Sequence, residues 1–408
     1  MLRVLCATAC LLAAPVVPVP PAAGGPAAGV VARAPAPGPP PVPRFIPGRY
    51  VVLLRPGQRP ARLAALAGAR PIYVYTKVIN GFAARLTEAQ VVRLLGDPGV
   101  AAVERDAVIQ AYEGTVRPGP ARTPAARPTT SWGLDRLDQR WPPLNGRFDS
   151  RYDGRGVTAY IIDTGIDPRH PQFTGRIAPG YTAIDDNHGT DDCAGHGTSV
   201  AALAGGTTWG VAPKIRLAPV RVMDCGGTGS YSSAIAGLDW VARNAVRPAV
   251  AGISLGAAAS PALNLASHEL SRLGVFLSVA AGDHATTACL VSPAAVATSL
   301  AVAAATSADR PAAFTDTGPC VDLFAPGVDV VTASAGGGTR RVSGTAYAAG
   351  YATGVAALYK QARGDTDSVT LLAQIIADAT PGAVRGVPAD TTDRLLCTAG
   401  LAGPAPPG

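Results

Sequence analysis

Four stretches of this chain, "GVTAYIID" (156–163), "IRLAPVRV" (215–222), "AVAGISL" (249–255) and "GVFLSVAA" (274–281), are apolar almost without a break. A strand with one wet face alternates; these do not, so both of their faces must be covered. Helical segments fit at 197–205, 230–244, 261–273 and 345–362. Strands alternating with helices predict an α/β fold, a doubly wound and mostly parallel sheet with helices on both faces. Such a sheet binds its ligands at the carboxyl ends of the strands.

A second, smaller unit is predicted upstream. "RYVVLLR" (49–55), "PIYVY" (71–75), "GFAARL" (81–86) and "VAAVERD" (100–106) read as strands, and 59–68 and 87–95 as helices. Thr87 and Gln90 fit a capping box at the start of the second helix. The order β-α-β-β-α-β is a small α+β domain over 45–113. Residues 1–25 combine a basic residue, a short apolar core and small residues, which reads as a secretory signal cleaved in the low twenties. Cys10 follows Ala-Thr-Ala, a poor and very early match to a lipoprotein box. Residues 26–44 form a Pro/Ala-rich spacer, 114–130 a linker, 131–400 the sheet domain and 401–408 a tail.

The apolar run near the N-terminus is too short and too proline-broken to span a bilayer. With the secretory signal, the expected location is outside the cell, with no membrane partner. The formal charge of +7 suggests nucleic acid until it is divided. Residues 1–130 carry 15 Lys+Arg against 5 Asp+Glu, and residues 131–408 carry 20 against 23. The excess is scattered arginine in the N-terminal third, without interleaved aromatics, so no nucleic-acid partner is expected. A monomer is expected. Loss of the signal with Cys6 and Cys10 leaves Cys193, Cys225, Cys289, Cys320 and Cys397. Four cysteines allow three pairings, among which spacing cannot choose; Cys397 is the candidate free thiol.

Asp163 ends a buried strand in "YIIDTGID". His196 lies in "CAGHGTSVAALAGG", a glycine turn leading into a helix of small side chains. A second "HGT" at 188–190 has acidic residues on both sides and no helix after it, so His188 reads as a solvated loop residue. Near the C-terminus "RRVSGTAYAAGYATGVAALY" (340–359) is a turn opening a helix. An acid, then a histidine, then such a turn is the chain order of one class of Asp-His-Ser triad.

With "SWGLDRLDQR", "VRVMDCGGTGS", "ISLG", "SVAAGD" and "CVDLFAPG" in the same order, residues 131 to about 397 resemble the subtilases, in the proteinase K and aqualysin branch. Residues 45–112, with "GRYVVLL", "NGFAARLT" and "VAAVERD", resemble the inhibitor-type propeptide of that family. The resemblance implies Asp163 as orienting acid and His196 as general base. It implies Ala280, Ala281 and Gly282 as a wall of the specificity pocket. Ser254, Leu255 and Gly256, with Gly226, Gly227, Thr228 and Gly229, become two backbone edges that hold a peptide as an added strand. It also implies the disulfides Cys193–Cys225 and Cys289–Cys320, no required cofactor, and a structural calcium near Asp322. For Asp322 the competing reading is a strand-end cap.

Two departures decide the expected function. The family's "GTSMA" is "GTAYA" here, which sets Ala346 at the nucleophile position. The family's "AAGN" is "AAGD", which sets Asp283 where an asparagine amide donates to the oxyanion; if ionised, it brings negative charge where negative charge must develop. Ser199 and Gly350 depart nearby. The hydroxyls of Ser343, Thr345 and Tyr347 are poor substitutes, since one residue on a helix turns a side chain by about 100°. The expectation is a secreted pseudoprotease that keeps a peptide-binding groove, occupied by a peptide or protein segment such as its own propeptide near residue 113. The alternative is an active serine-type endopeptidase by an unrecognised route, or one in which Ala346 is not the native residue.

Overall fold

The computed structural model describes residues 38–39, 41–112, 114–118 and 131–401. The expected signal, the spacer through residue 37, most of the linker and residues 402–408 lie outside the described residues.

The N-terminal domain runs β1 (Phe45–Leu54), α1 (Pro60–Leu66), β2 (Pro71–Tyr75), β3 (Gly81–Arg85), α2 (Glu88–Leu95) and β4 (Val100–Ala111), the predicted order. β1 lies between β3 and β4, antiparallel to both, and β2 forms the edge. Alternation along the strands splits their side chains between two cores. Val52, Leu54, Phe82 and Ala84 pack with Leu63 and Leu94 of the helices, while Val51, Ala83 and Tyr75 join the core of the larger domain. The Thr87 hydroxyl accepts from the Gln90 N–H, and the Gln90 side chain accepts from the Thr87 N–H, so the capping box forms.

The chain continues through β5 (Val116–Pro118), α3 (Trp132–Asp135), β6 (Thr158–Asp163), β7 (Tyr181–Thr182), α4 (His196–Gly205), β8 (Arg216–Arg221) and β9 (Thr228–Ser230). It then forms α5 (Tyr231–Asn244), β10 (Ala249–Ile253), β11 (Leu255–Ala258), α6 (Pro261–Arg272), β12 (Phe276–Ala280), β13 (Val291–Ser292), β14 (Leu300–Ala305) and β15 (Leu323–Pro326). Last come the hairpin β16 (Val330–Ala333) and β17 (Thr339–Val342), then α7 (Thr345–Arg363) and α8 (Ser368–Asp378).

The main sheet is ordered β15-β14-β12-β10-β6-β8-β7, with every neighbouring pair parallel. From β6 the chain builds first toward β8 and then returns to β10 on the other side. Asp163, at the carboxyl end of β6, therefore stands where the winding reverses and ligands gather. β14 and α8 have no counterpart among the predicted elements. β14 is "LAVAAA", a composition that favours helix in isolation; full burial between β12 and β15 decides otherwise.

β4 runs past its predicted end at 106 because its last residues find partners in the other domain. Val108, Ile109 and Gln110 pair antiparallel with β9, and Gln110 and Ala111 pair with β11. Acidic side chains of β4 also cap helices of the larger domain. Glu104 accepts from Ser260 and Ala262 at the start of α6, and Asp106 from Ser232 at the start of α5. Residues 114–130, read as a linker, start differently: Val116–Pro118 is strand β5, antiparallel to β17. Cys193–Cys225 and Cys289–Cys320 are joined, and Cys397 is free and buried.

Candidate active site

Three elements converge at the carboxyl edge of the main sheet. β6 delivers Asp163, and Gly195, with a φ of 90°, turns the chain so that His196 opens α4 beside it. His196 Nδ1 lies 2.8 and 3.0 Å from the two Asp163 carboxylate oxygens, and both residues are buried. The carboxylate fixes the ring and leaves Nε2 as the working nitrogen. That nitrogen lies 3.3 Å from the carbonyl oxygen of Tyr112, the residue after β4. His188 of the second "HGT" is exposed.

The edges implied by the family resemblance hold this same segment. Ala111 donates its N–H to the Gly227 carbonyl, Gln110 faces Thr228 and Gly256, Ile109 faces Gly229, and Leu255 faces Ala111. Ser254, buried next to β11, donates its hydroxyl to the Ala346 carbonyl at 3.4 Å. Gly226 lies in the turn before β9, where its N–H meets Asp224. The Tyr112 ring covers Gly256 so closely that a Cβ there would lie 1.4 Å from Tyr112 Cζ. Its edge meets the His284 ring with centroids 5.6 Å apart. Ala280, Ala281 and Gly282 leave β12 next to this pocket, all buried, and Gly282 abuts Asp316 Oδ2.

α7 starts at the same place. A Cβ on Gly344 would lie 2.9 Å from the Tyr112 oxygen, and the Tyr347 ring lies 5.4 Å from the His196 ring. Ala346, between those two residues and fully buried, presents a methyl group. The hydroxyls of Ser343 and Thr345 are engaged elsewhere. Ser343 Oγ accepts from the Asp329 N–H, and Thr345 Oγ1 donates to Asp283 and accepts from the Gly282 N–H.

Asp283 accepts two hydrogen bonds at Oδ1, from the Thr345 N–H at 2.9 Å and the Thr345 hydroxyl at 2.7 Å. Burial is the dominant influence and pushes its pKa up to about 7, against the Thr345 bonds, with Asp316 adding to the rise and His196 opposing it. The condition attached to the sequence reading, that Asp283 harms the site if ionised, thus turns on pH near neutrality. Ser199 is tied to the Ala333 carbonyl and to Arg340, and Gly350 lets α7 approach α4, where a Cβ would meet the Val200 carbonyl at 3.1 Å. Sequence reasoning located the occupant near 113 but not Tyr112 itself. It also missed Asp316, whose "FTDTG" context carries no signal of a buried carboxylate.

Asp322 accepts from the Ala301 N–H, and burial raises its pKa to about 6. One of its oxygens is thus engaged, and among the described residues it belongs to no cluster of three or more metal-binding side chains.

Comparison with known proteins gives the family. Residues 154–394 match the subtilase family and residues 55–112 the peptidase inhibitor I9 family. The chain belongs to the subtilase family. This subtilase is 41% identical over 383 residues to an extracellular serine proteinase of Thermus sp. (strain Rt41A), covering 87% of this chain and 90% of the relative. It is 41% identical to alkaline serine exoprotease A of Vibrio alginolyticus, over 79% of this chain and 59% of that one. A crystal structure of a cold-adapted subtilisin-like serine proteinase superposes with a TM-score of 0.65 at 41% identity, covering 67% of this chain and 99% of that one. The inhibitor match ends at Tyr112, the residue whose carbonyl faces His196.

Proposed function

We propose that this subtilase is a secreted, catalytically silent member of its family whose peptide groove is held by its own uncut propeptide. The observation that carries the reading is the methyl of Ala346. Asp163 and His196 are arranged to remove a proton from a nucleophile beside a peptide carbonyl, and at the start of α7 there is no proton to remove. The engagement of Ser343 and Thr345 with other partners supports it further. In this reading Asp163 orients His196, the two backbone edges hold a peptide as an added strand, and the Gly256 and Ala280–Gly282 walls accept an aromatic side chain. Secretion is supported by the signal-like N-terminus and by relatives named as extracellular. Among the described residues no helix is long and apolar enough to cross a membrane.

Two measurements test it. Protein made in a protease-free host should give no labelling with a fluorophosphonate serine probe, and its N-terminus should lie at the signal cleavage site. A clean N-terminus between 113 and 131 in that host, or stoichiometric labelling, would overturn the reading. A nick by a foreign protease in the arginine-bearing segment 117–130 would not.

A further inference from the structure

Beside the Tyr112 carbonyl lies a group that the Asp163–His196 pair does not use. Asp283 commits Oδ1 to Thr345, while its Oδ2 is buried with no hydrogen-bond partner among the described residues. A Cβ on Gly344 would lie 3.0 Å from that Oδ2 and 2.9 Å from the Tyr112 oxygen. The two oxygens thus border one small gap above Gly344. With the carboxyl ionised both are acceptors and repel each other; a proton on Oδ2 makes one of them a donor. We propose that Asp283 serves as a neutral carboxylic acid whose Oδ2–H donates to the carbonyl of the residue seated at Tyr112's position, so that the groove's hold on its own segment depends on that proton. The proposal rests on the reading that this segment stays uncut.

The surroundings favour the protonated form. From α4 comes His196, with Asp163 behind it; from α7 comes Thr345; from the propeptide comes Tyr112; and Asp316 and His284 stand on Asp283's own side of the site. Burial is the largest influence on Asp283 and Asp316 adds to it, which together outweigh Thr345 and His196. Asp283 and Tyr112 share the lining of an open cavity of about 440 Å³. When the segment leaves, water entering from that side relieves the burial and the carboxyl ionises more readily. Seating the segment therefore takes up a proton. The hold is strongest below the pKa of the vacated site and weakens as pH rises toward about 7, the value of the occupied site. A buried acid kept neutral to donate to a carbonyl is a known device of enzyme sites.

The test uses the full-length protein and a broad-specificity endopeptidase that cuts residues 112–118 only while they are out of the groove. Cleavage rates are compared with those of Asp283→Asn, whose amide donates at every pH, so the ratio cancels the added protease's own profile. The wild-type to variant ratio should rise about tenfold between about pH 5.5 and about pH 8.5. A flat ratio overturns the proposal. If Asp283→Asn fails to fold, wild-type protein labelled with ¹³C at its tyrosine carbonyls serves instead, with Tyr112→Phe identifying the relevant infrared band. That band should shift in step with loss of the protonated-carboxyl band; a band that does not move overturns the proposal. Self-cleavage without added protease, seen as a new N-terminus at 113, would instead sink the reading of an inert site on which the proposal rests.

Discussion

Ala346→Ser would return an oxygen to the head of α7, facing an imidazole that Asp163 already holds in place. Loss of the corresponding serine from subtilisin, a measured case in this same family, lowers kcat about 2 × 10⁶-fold. How much of that returns depends on Asp283. His196 must be neutral to accept a proton, whereas Asp283 must be neutral to donate one, and these demands pull in opposite directions with pH. With the Asp283 pKa raised to about 7, the single variant should lose activity as pH rises through neutrality. The double variant Ala346→Ser/Asp283→Asn keeps its donor at all pH. It should match the single variant on the acid side and exceed it increasingly on the alkaline side, up to the about 10²–10³ that an oxyanion donor is worth. Asp283→Asn alone should hydrolyse nothing. Peptide hydrolysis against pH for the three variants decides this; identical profiles for single and double would show that Asp283 is no obstacle. The ties of Ser199 to Arg340 and Ala333 leave little reason to expect a misplaced histidine helix.

At the scale of elements, the end of β4 is the contact on which the groove's occupancy turns. Gly256 has an ordinary φ, so its lack of a side chain matters for space: a Cβ would collide with the Tyr112 ring, 1.4 Å from Cζ. Gly256→Ala should therefore unseat Tyr112 while leaving the main sheet intact, and foreign proteolysis at 112–118 should accelerate at least about tenfold, one lost contact of about 1.4 kcal/mol. An unchanged rate would mean that the ring is not what seats the strand. Asp106 anchors the same strand further back. It accepts from Ser232 and pairs with Arg49 at 3.0 Å while fully buried. Asp106→Ala should lower stability by about 1–3 kcal/mol in urea unfolding, because the start of α5 loses its acceptor and Arg49 its anion. A change within error would show that water replaces both contacts. Only part of this was legible in the sequence. The four apolar runs specify β6, β8, β10 and β12 because a strand buried on both faces cannot hide its composition. β14 escapes because alanine serves helix and buried strand alike, and the last third of β4 escapes because its partners are more than a hundred residues away. Asp163 and His196 are readable from chain order, whereas the protonation of Asp283 depends on burial that only the folded chain creates.

For the whole molecule, the decisive feature is that the N-terminal domain reaches into the groove of the larger one. β4 enters it against β9 and β11, and β5 leaves it against β17. The N-terminal domain is thus an intramolecular ligand of the larger one, present at the effective concentration its tether sets, on the order of millimolar for short tethers. The disulfides Cys193–Cys225 and Cys289–Cys320 close loops of 32 and 31 residues, the first joining the turn before His196 to the residue before the Gly226–Gly229 edge. Each should contribute about 3 kcal/mol, so reduction should lower the unfolding midpoint without releasing the propeptide. Release requires a cut. The intact protein should unfold in one transition whose midpoint does not depend on protein concentration. After a foreign protease nicks the segment 119–130, the N-terminal domain becomes a separate ligand, and the midpoint should fall with dilution as mass action demands. Calorimetry of intact and nicked samples over a range of protein concentration makes the comparison. Two separate transitions in the intact chain would show that the N-terminal domain does not stabilise the larger one, and would remove the physical basis for a groove kept closed by its own propeptide.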